Sequence, residues 1–164
     1  MKALVVYESH YGNTEKIAEA IAQGIGPEAR AVNTSEATPE VIADAELVVA
    51  GAPVMAFGLP GDQMLENMTR DTKAPEPPDV SHPSLRNWLD RLPHSTAAAA
   101  AFETRLRWSP GGATSAIDDR FHKAGFHTIA KPGKFVVKGS YGPLREGEVE
   151  RAREWGATLA AALR

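Results

Sequence analysis

Six consecutive residues near the start of the chain carry the side chains best suited to hold a ligand: Ser9, His10, Tyr11, Gly12, Asn13 and Thr14. Ser9, Asn13 and Thr14 supply short hydrogen-bonding groups, and Gly12 permits a tight backbone turn. The segment lies between an apolar run and a stretch with helical periodicity. A helix that begins here presents unpaired N–H groups and the positive end of its dipole, and both favour a phosphate group.

This segment lacks the signatures of two common nucleotide-binding loops, G-x-G-x-x-G and G-x-x-x-x-G-K-[ST]. It also contains no Lys or Arg between residues 8 and 15. A phosphate group would therefore be held by N–H groups, hydroxyls and the helix dipole. The alternative interpretation is a capped turn between a strand and a helix that binds nothing.

Strands and helices alternate along the chain. The predicted strands are 3–7, 29–32, 47–50, 96–102 and 135–137, the last continuing into residues 138–139. The predicted helices are 14–25, a segment that starts at 38–40, and 63–68, 85–92, 114–124 and 146–163. Alanine favours helices, but the alternation requires a strand at the alanine-rich segment 96–102. The pattern predicts one α/β domain over residues 1–164, with a parallel sheet covered by helices on both faces.

Composition excludes several classes of protein. The 164 residues suit a single domain, and 21 acidic against 18 basic residues argue against a nucleic-acid or membrane-surface protein. The chain has no cysteine, which excludes a disulfide framework, a thiolate metal site and a cysteine nucleophile. The five histidines show no metal-binding spacing. Any redox chemistry would therefore belong to a bound cofactor.

Two further expectations concern location and one unusual segment. The apolar run after Met1 is too short for a signal peptide, and no stretch approaches the length of a membrane span, so we expect a cytoplasmic protein. Residues Thr72–Pro83 (TKAPEPPDVSHP) contain four prolines and are expected to be stiff and extended. A lid, an interface strap and a passive connector all remain open for this segment.

The first loop resembles the phosphate loop of the flavodoxin-like FMN-binding family, which reads approximately [ST]-x-[TY]-G-x-T. Ser9, Tyr11, Gly12 and Thr14 match this pattern. The resemblance implies a doubly wound, five-stranded parallel sheet in the order 2-1-3-4-5. It also implies FMN bound non-covalently at the carboxyl ends of strands one, three and four. The FMN contacts it implies come from Ser9, His10, Tyr11, Gly12, Asn13, Thr14, Pro53, Val54, Met55, Ala56, Phe57, Gly58, Glu103, Thr104, Arg105 and Trp108.

The second loop, residues 51–58, follows the third predicted strand. It is most similar to the NAD(P)H:quinone oxidoreductase branch of the family, which has G-x-P-T-R-F-G followed by a Gln-Met pair. The chain keeps Gly51, Pro53, Phe57, Gly58, Gln63 and Met64. It has one extra residue before Phe57, and Val54 and Met55 stand in place of the Thr and Arg. The resemblance implies that Phe57 or Met55 covers one face of the flavin. The alternative is that both belong to the core.

The third loop, residues 103–112, follows the fourth predicted strand. In the resembled family this loop borders the flavin, so Trp108 is expected to stack on it and Thr104 to hydrogen-bond to it. Arg105 and Arg107 are unusual there, because low-potential flavodoxins surround the flavin with negative charge. A positive charge near the flavin would raise its reduction potential, or it could bind the phosphate of NAD(P)H or an acidic substrate. The alternative is a solvated basic loop.

The resemblance implies a flavodoxin-type redox protein that transfers electrons through FMN. The alternatives are an NAD(P)H-dependent quinone reductase and a non-redox scaffold that has lost FMN. The expected partner is a redox protein or a small quinone-like acceptor. Binding to nucleic acid or to a membrane is not expected, and the formation of a homo-oligomer is left open. A response-regulator receiver shares this topology, but it requires an acidic pair and an Asp where the chain has Glu8 alone and Gly51-Ala52.

Overall fold

A computed structural model of the chain describes residues 1–55 and 57–164, and it shows a parallel sheet between two layers of helices. The strands are β1 (Ala3–Tyr7), β2 (Ala29–Asn33), β3 (Leu47–Pro53), β4 (Ala98–Leu106), β5 (His127–Thr128) and β6 (Gly133–Val137). The helices are α1 (Asn13–Ile25), α2 (Pro39–Ala43), α3 (Asp62–Thr69), α4 (Leu85–Asp90), α5 (Thr114–Lys123) and α6 (Glu148–Ala162). Among the described residues, no helix is both long enough and apolar enough to cross a membrane.

The sheet has the predicted order 2-1-3-4-5, with every pairing parallel. The predicted fifth strand, 135–137, lies within β6, and β5 is an additional short strand that the sequence did not predict. β5 pairs with residues 98–99 of β4, and β6 pairs with residues 102–106. The prediction that the last strand continues through 138–139 was wrong, because the Lys138 N–H donates to the Pro143 carbonyl at 2.8 Å and begins a turn.

Each face of the sheet carries its own core. On one face the buried side chains of α1 and α6, such as Ile17, Ile21 and Leu159, pack on Val5, Val49 and the neighbouring strand residues. On the other face α2, α4 and α5 bury Ile42, Trp88 and Phe121. Helix α3 has no buried residue and lies apart from both cores. The central strands β1 and β3 are therefore buried on both sides, as their continuous apolar sequences predict.

The alanine-rich segment is a strand, as the alternation predicted. Residues 98–102 of β4 pair in register with residues 47–51 of β3, at the centre of the sheet. Small side chains suit this position because helices cover both faces closely. The ring of Phe102 fills the space above Gly51, where an added Cβ would lie 2.2 Å from the ring.

Helices α1 and α6 approach each other closely through two glycines. A Cβ on Gly24 would lie 1.9 Å from the carbonyl oxygen of Arg153, and one on Gly156 would lie 2.2 Å from that of Ile21. Because backbone atoms cannot move aside as a flexible side chain can, both positions require glycine. This contact holds α1, and therefore the loop before it, against the sheet.

We expect Gly24→Ala to lower the free energy of unfolding by about 2 kcal/mol, because overpacking outweighs the gain of about 1 kcal/mol from alanine's helix propensity. The measurement is urea denaturation followed by circular dichroism. Gly61→Ala is the matched control, since its new methyl group would meet no atom within 4 Å. An equal effect of the two substitutions would contradict the close approach of α1 and α6.

Candidate functional site

A cleft of about 240 Å³ opens at the carboxyl ends of β1, β3 and β4. It contains residues from all three loops that the sequence predicted. The predicted residues that line it are Ser9, His10, Tyr11, Asn13, Thr14, Pro53, Val54, Met55, Thr104 and Arg105. Gly12, Phe57, Gly58, Glu103 and Trp108 do not line it, and Ala56 lies outside the described residues.

One wall of the cleft is the turn that leads into α1. Gly12 has a φ of 88°, in the left-handed region that favours glycine, and it precedes the first helical residue, Asn13. None of the backbone N–H groups of residues 10–14 donates a hydrogen bond to another described residue. Five successive free donors at a helix N-terminus form a site suited to an anion.

The hydroxyls of this turn also bond within the protein. Ser9 Oγ accepts from the Glu15 N–H at 3.2 Å, so it caps the third residue of α1. The Thr14 and Thr104 hydroxyl oxygens are 2.8 Å apart and buried. This bond joins the turn to β4. Each hydroxyl oxygen has two lone pairs and one proton, so both groups keep capacity for a ligand.

His10 and Glu8 form a buried pair beside this turn. The Nε2 atom of His10 lies 2.6 Å from Glu8 Oε2, and both side chains are at most 4 % exposed. Burial by itself would lower the pKa of His10, but the hydrogen bond and the charge of Glu8 outweigh burial and raise it. His10 therefore provides a positive charge in a loop without Lys or Arg, balanced by Glu8.

The second loop places an apolar surface in the cleft. Val54 donates its N–H to the Thr104 carbonyl at 2.9 Å, and Met55 and Gly58 exchange backbone hydrogen bonds at 2.9 and 3.0 Å. Val54 and Met55 line the cleft beside the turn into α1. Phe57 is 67 % exposed, with a φ of 75°. Its interpretation as a core residue is therefore wrong, whereas its role in covering a ligand stays a prediction.

The third loop is organised by Glu103 and Arg105. Glu103 is fully buried and accepts from the N–H groups of Ala113 and Thr114 at 2.9 and 3.2 Å, which caps α5. Arg105 binds Glu103 at 2.7 Å and also donates to the Gly111 and Ser109 carbonyls. Arg105 therefore forms a structural ion pair with Glu103 at the cleft wall. Its interpretation as a residue of a solvated loop is wrong. Arg107 is exposed.

Trp108 extends into solvent. Its side chain is 74 % exposed and lies outside the cleft lining. Its loop nevertheless contacts the second loop, because the Gly112 N–H donates to the Phe57 carbonyl at 3.1 Å. Two large exposed aromatic residues therefore lie on adjoining loops. The stacking role predicted for Trp108 stays a prediction.

The sequence did not predict a ligand contact for the remaining cleft residues, which are Met64, Met68, Leu106, Val137 and Ser140. Met64 entered the sequence analysis only as part of the Gln-Met pair. The two methionines are four residues apart on α3 and so share one face of that helix. That spacing is the signal that could have found them. Val137 is the last residue of β6, and Ser140 lies in the late turn of residues 139–144 that follows this strand.

The late turn also packs on the turn before α1. Asn13 Nδ2 donates to the Tyr141 carbonyl at 3.3 Å, and the rings of Tyr11 and Tyr141 meet edge to face at 5.1 Å. The Tyr141 hydroxyl donates to Asp71, and this bond raises the pKa of Tyr141 to about 12. Among the described residues no cluster of His, Asp and Glu could hold a metal ion.

Comparison with known proteins agrees with this architecture. A family model described as "Flavodoxin domain" matches residues 4–75, which include the turn before α1 and the second loop. The fold is that of the flavodoxin-like family. The resemblance predicted from two loops is therefore confirmed. A search of curated proteins found no match to this chain.

Solved structures show the same fold along the full chain. A flavodoxin from the domain Archaea superposes with a TM-score of 0.67 at 20 % identity, with complete coverage of both chains. Flavodoxin 1 from Bacillus cereus gives 0.67 at 18 % identity and covers 98 % of each chain. A WrbA-like flavodoxin from Agrobacterium tumefaciens gives 0.63 at 20 % identity, covering 99 % of this chain and 97 % of its own.

The buried pair predicts how stability depends on pH. Because the pKa of His10 is raised on folding, its proton contributes stability fully below about pH 6.5. That contribution is lost as the pH rises through the raised pKa. We expect His10→Gln to lower the free energy of unfolding by about 3 kcal/mol at pH 6, because it leaves Glu8 buried without a cation.

The deficit of His10→Gln should be smaller at pH 9 than at pH 6, because the wild-type histidine loses its proton as the pH rises through its raised pKa. Urea denaturation at both pH values measures it. His127→Gln, at an exposed histidine in β5, is the control. A deficit that is the same at pH 6 and pH 9 would show that His10 is not charged in the folded protein.

Proposed function

We propose that this chain is a flavodoxin-type redox protein that binds FMN non-covalently in the cleft and transfers electrons through it. The observation that carries the proposal is the row of free N–H groups at residues 10–14, beside an apolar wall formed by Val54, Met55, Met64 and Met68. Such a site suits a ligand with an anionic group at one end and a flat apolar ring system at the other.

The residues of the cleft fit FMN in this orientation. The N–H groups of the turn and the hydroxyls of Ser9 and Thr14 would hold the phosphate. Met55 and the methionines of α3 offer polarizable surface to an aromatic ring. When bound, FMN would supply the redox chemistry, and the protein would supply binding and electrostatics.

The direct test is reconstitution of the purified protein with FMN and with riboflavin, which lacks the phosphate. We expect FMN to bind at least about 100-fold more tightly, because several charge-assisted hydrogen bonds to the phosphate contribute 1.5–3 kcal/mol each. Loss of flavin fluorescence in a titration gives both Kd values. A protein that binds neither flavin would contradict the proposal and favour the scaffold that has lost FMN.

The aromatic side chains at the rim test the other end of the ligand. If Trp108 covers the ring of bound FMN, Trp108→Leu should raise the Kd of FMN and riboflavin by the same factor, about tenfold. Val149→Ala, at an exposed apolar residue of α6, is the control. No change in either Kd would show that Trp108 remains in solvent when the flavin binds.

The second candidate is a quinone reductase that uses NAD(P)H. The observation that favours it is Met64, which lines the cleft and belongs to the Gln-Met pair shared with that branch. The holoprotein should then turn over NADH with a soluble quinone. A flavodoxin-type carrier should instead show negligible turnover and two well-separated one-electron potentials in a redox titration.

A further inference from the structure

The proline-rich strap, Thr72–Pro83, is fastened to the turn before α1 at its C-terminal end. The Asp79 N–H donates to the His10 carbonyl at 2.9 Å, and the His10 ring Nδ1 lies 2.8 Å from the Asp79 carbonyl. The Ser9 N–H donates to the His82 ring Nε2 at 3.2 Å. Three hydrogen bonds therefore join segments that are about 70 residues apart in sequence.

The partners of each ring nitrogen determine the charge of the two histidines. The Asp79 carbonyl can only accept a hydrogen bond, so His10 Nδ1 carries a proton. Nε2 lies 2.6 Å from the Glu8 carboxylate, which also accepts, so Nε2 carries a proton as well. His10 is therefore an imidazolium. His82 Nε2 accepts the Ser9 N–H, so His82 is neutral with its proton on Nδ1. Burial lowers the pKa of His82, which agrees with this assignment.

The His82 ring is held in place by its surroundings. Its side chain is 2 % exposed, and its ring stacks on that of His10 with centroids 6.1 Å apart and an interplanar angle of 16°. Its Nδ1 has no hydrogen-bond partner among the described residues, since Asp79 Oδ1 is 3.9 Å away. A buried polar atom without a partner lowers the stability of the fold. The hydrogen bond from the Ser9 N–H to Nε2 is the favourable polar contact of the buried ring.

The bond to His82 fixes the first peptide of the turn. It directs the Ser9 N–H into the protein, whereas the next five N–H groups have no partner among the described residues. The Ser9 hydroxyl in turn caps α1 through Glu15. The hydrogen-bond acceptor at residue 82 therefore holds the backbone of Ser9, and with it the direction in which the N–H groups of residues 10–14 point.

We propose that His10 and His82 are positioning residues, which fasten the turn of residues 9–14 to the strap and so hold its N–H groups ready for a phosphate group. This inference rests on the proposed function for its natural ligand. It assigns the strap a definite role, as a clamp on the turn. The charged groups that face the two rings are Glu8 from β1's end, Asp79 from the strap and Glu15 from α1.

The test compares two substitutions of His82. His82→Leu removes the acceptor for the Ser9 N–H, whereas His82→Gln can place its amide oxygen near the position of Nε2. We expect His82→Leu to raise the Kd of FMN about tenfold, as loss of one buried hydrogen bond implies. The Kd of riboflavin should change less than about twofold in the same variant, because riboflavin has no phosphate for the turn to hold. His82→Gln should restore most of the FMN affinity, and His127→Gln is the surface control.

Binding of inorganic phosphate provides a readout that does not need the flavin. In NMR titrations of the wild type, phosphate should shift the amide signals of residues 10–14. In His82→Leu the same shifts should require a higher phosphate concentration, and the Ser9 amide should exchange faster with solvent. This titration tests the clamp even if the wild type binds no FMN, an outcome that would contradict the proposed function alone.

Three results would overturn the inference. Equal weakening of FMN and riboflavin by His82→Leu would indicate a general structural role. Unchanged FMN affinity in that variant would show that the turn needs no clamp. Absence of phosphate-induced shifts at residues 10–14 in the wild type would show that the turn is not a phosphate site.

Discussion

The carboxylate of Glu8, fully buried at the end of β1, is the constraint on which the site depends. A buried charge is tolerated only when it is paired and hydrogen-bonded. One oxygen accepts the Leu85 N–H at 2.7 Å, at the start of α4, and the other faces His10 at 2.6 Å. The turn before α1, the strap and α4 are thereby brought to one point. Loss of His10 would leave this buried charge without a cation.

The same arrangement recurs at the end of β4. Glu103 is also fully buried, caps a helix through backbone N–H groups, and pairs with a cation two residues later in the chain. The pairs are Glu8 with His10 and Glu103 with Arg105, and both cations line the cleft. Each positive charge at the cleft is therefore offset by a carboxylate behind it. Attraction for an anion then comes mainly from N–H groups and the dipole of α1.

Local pattern was sufficient to predict the sheet and the first turn, because strand burial and helix capping leave signals within a few residues. The alanine-rich β4 was predicted from alternation alone, and its pairing with β3 confirms that prediction. β5 was missed, since a strand of only two residues carries no periodicity. The bond between Asp79 and His10 joins distant parts of the chain, as does the bond between Ser9 and His82. No local signal encodes such contacts.

The ion pair of Arg105 changes what the sequence suggested about electrostatics in the cleft. An unpaired arginine there would favour negative charge on a bound ligand, and the effect would be large because the site is partly shielded from water. With Glu103 at 2.7 Å, the pair acts at a distance as a dipole whose field falls off faster than that of a single charge. Arg107 is exposed, and solvent and salt screen its charge. The two arginines therefore make the cleft less positive than their number implies, and the geometry of the N–H groups before α1 becomes the stronger determinant of anion binding.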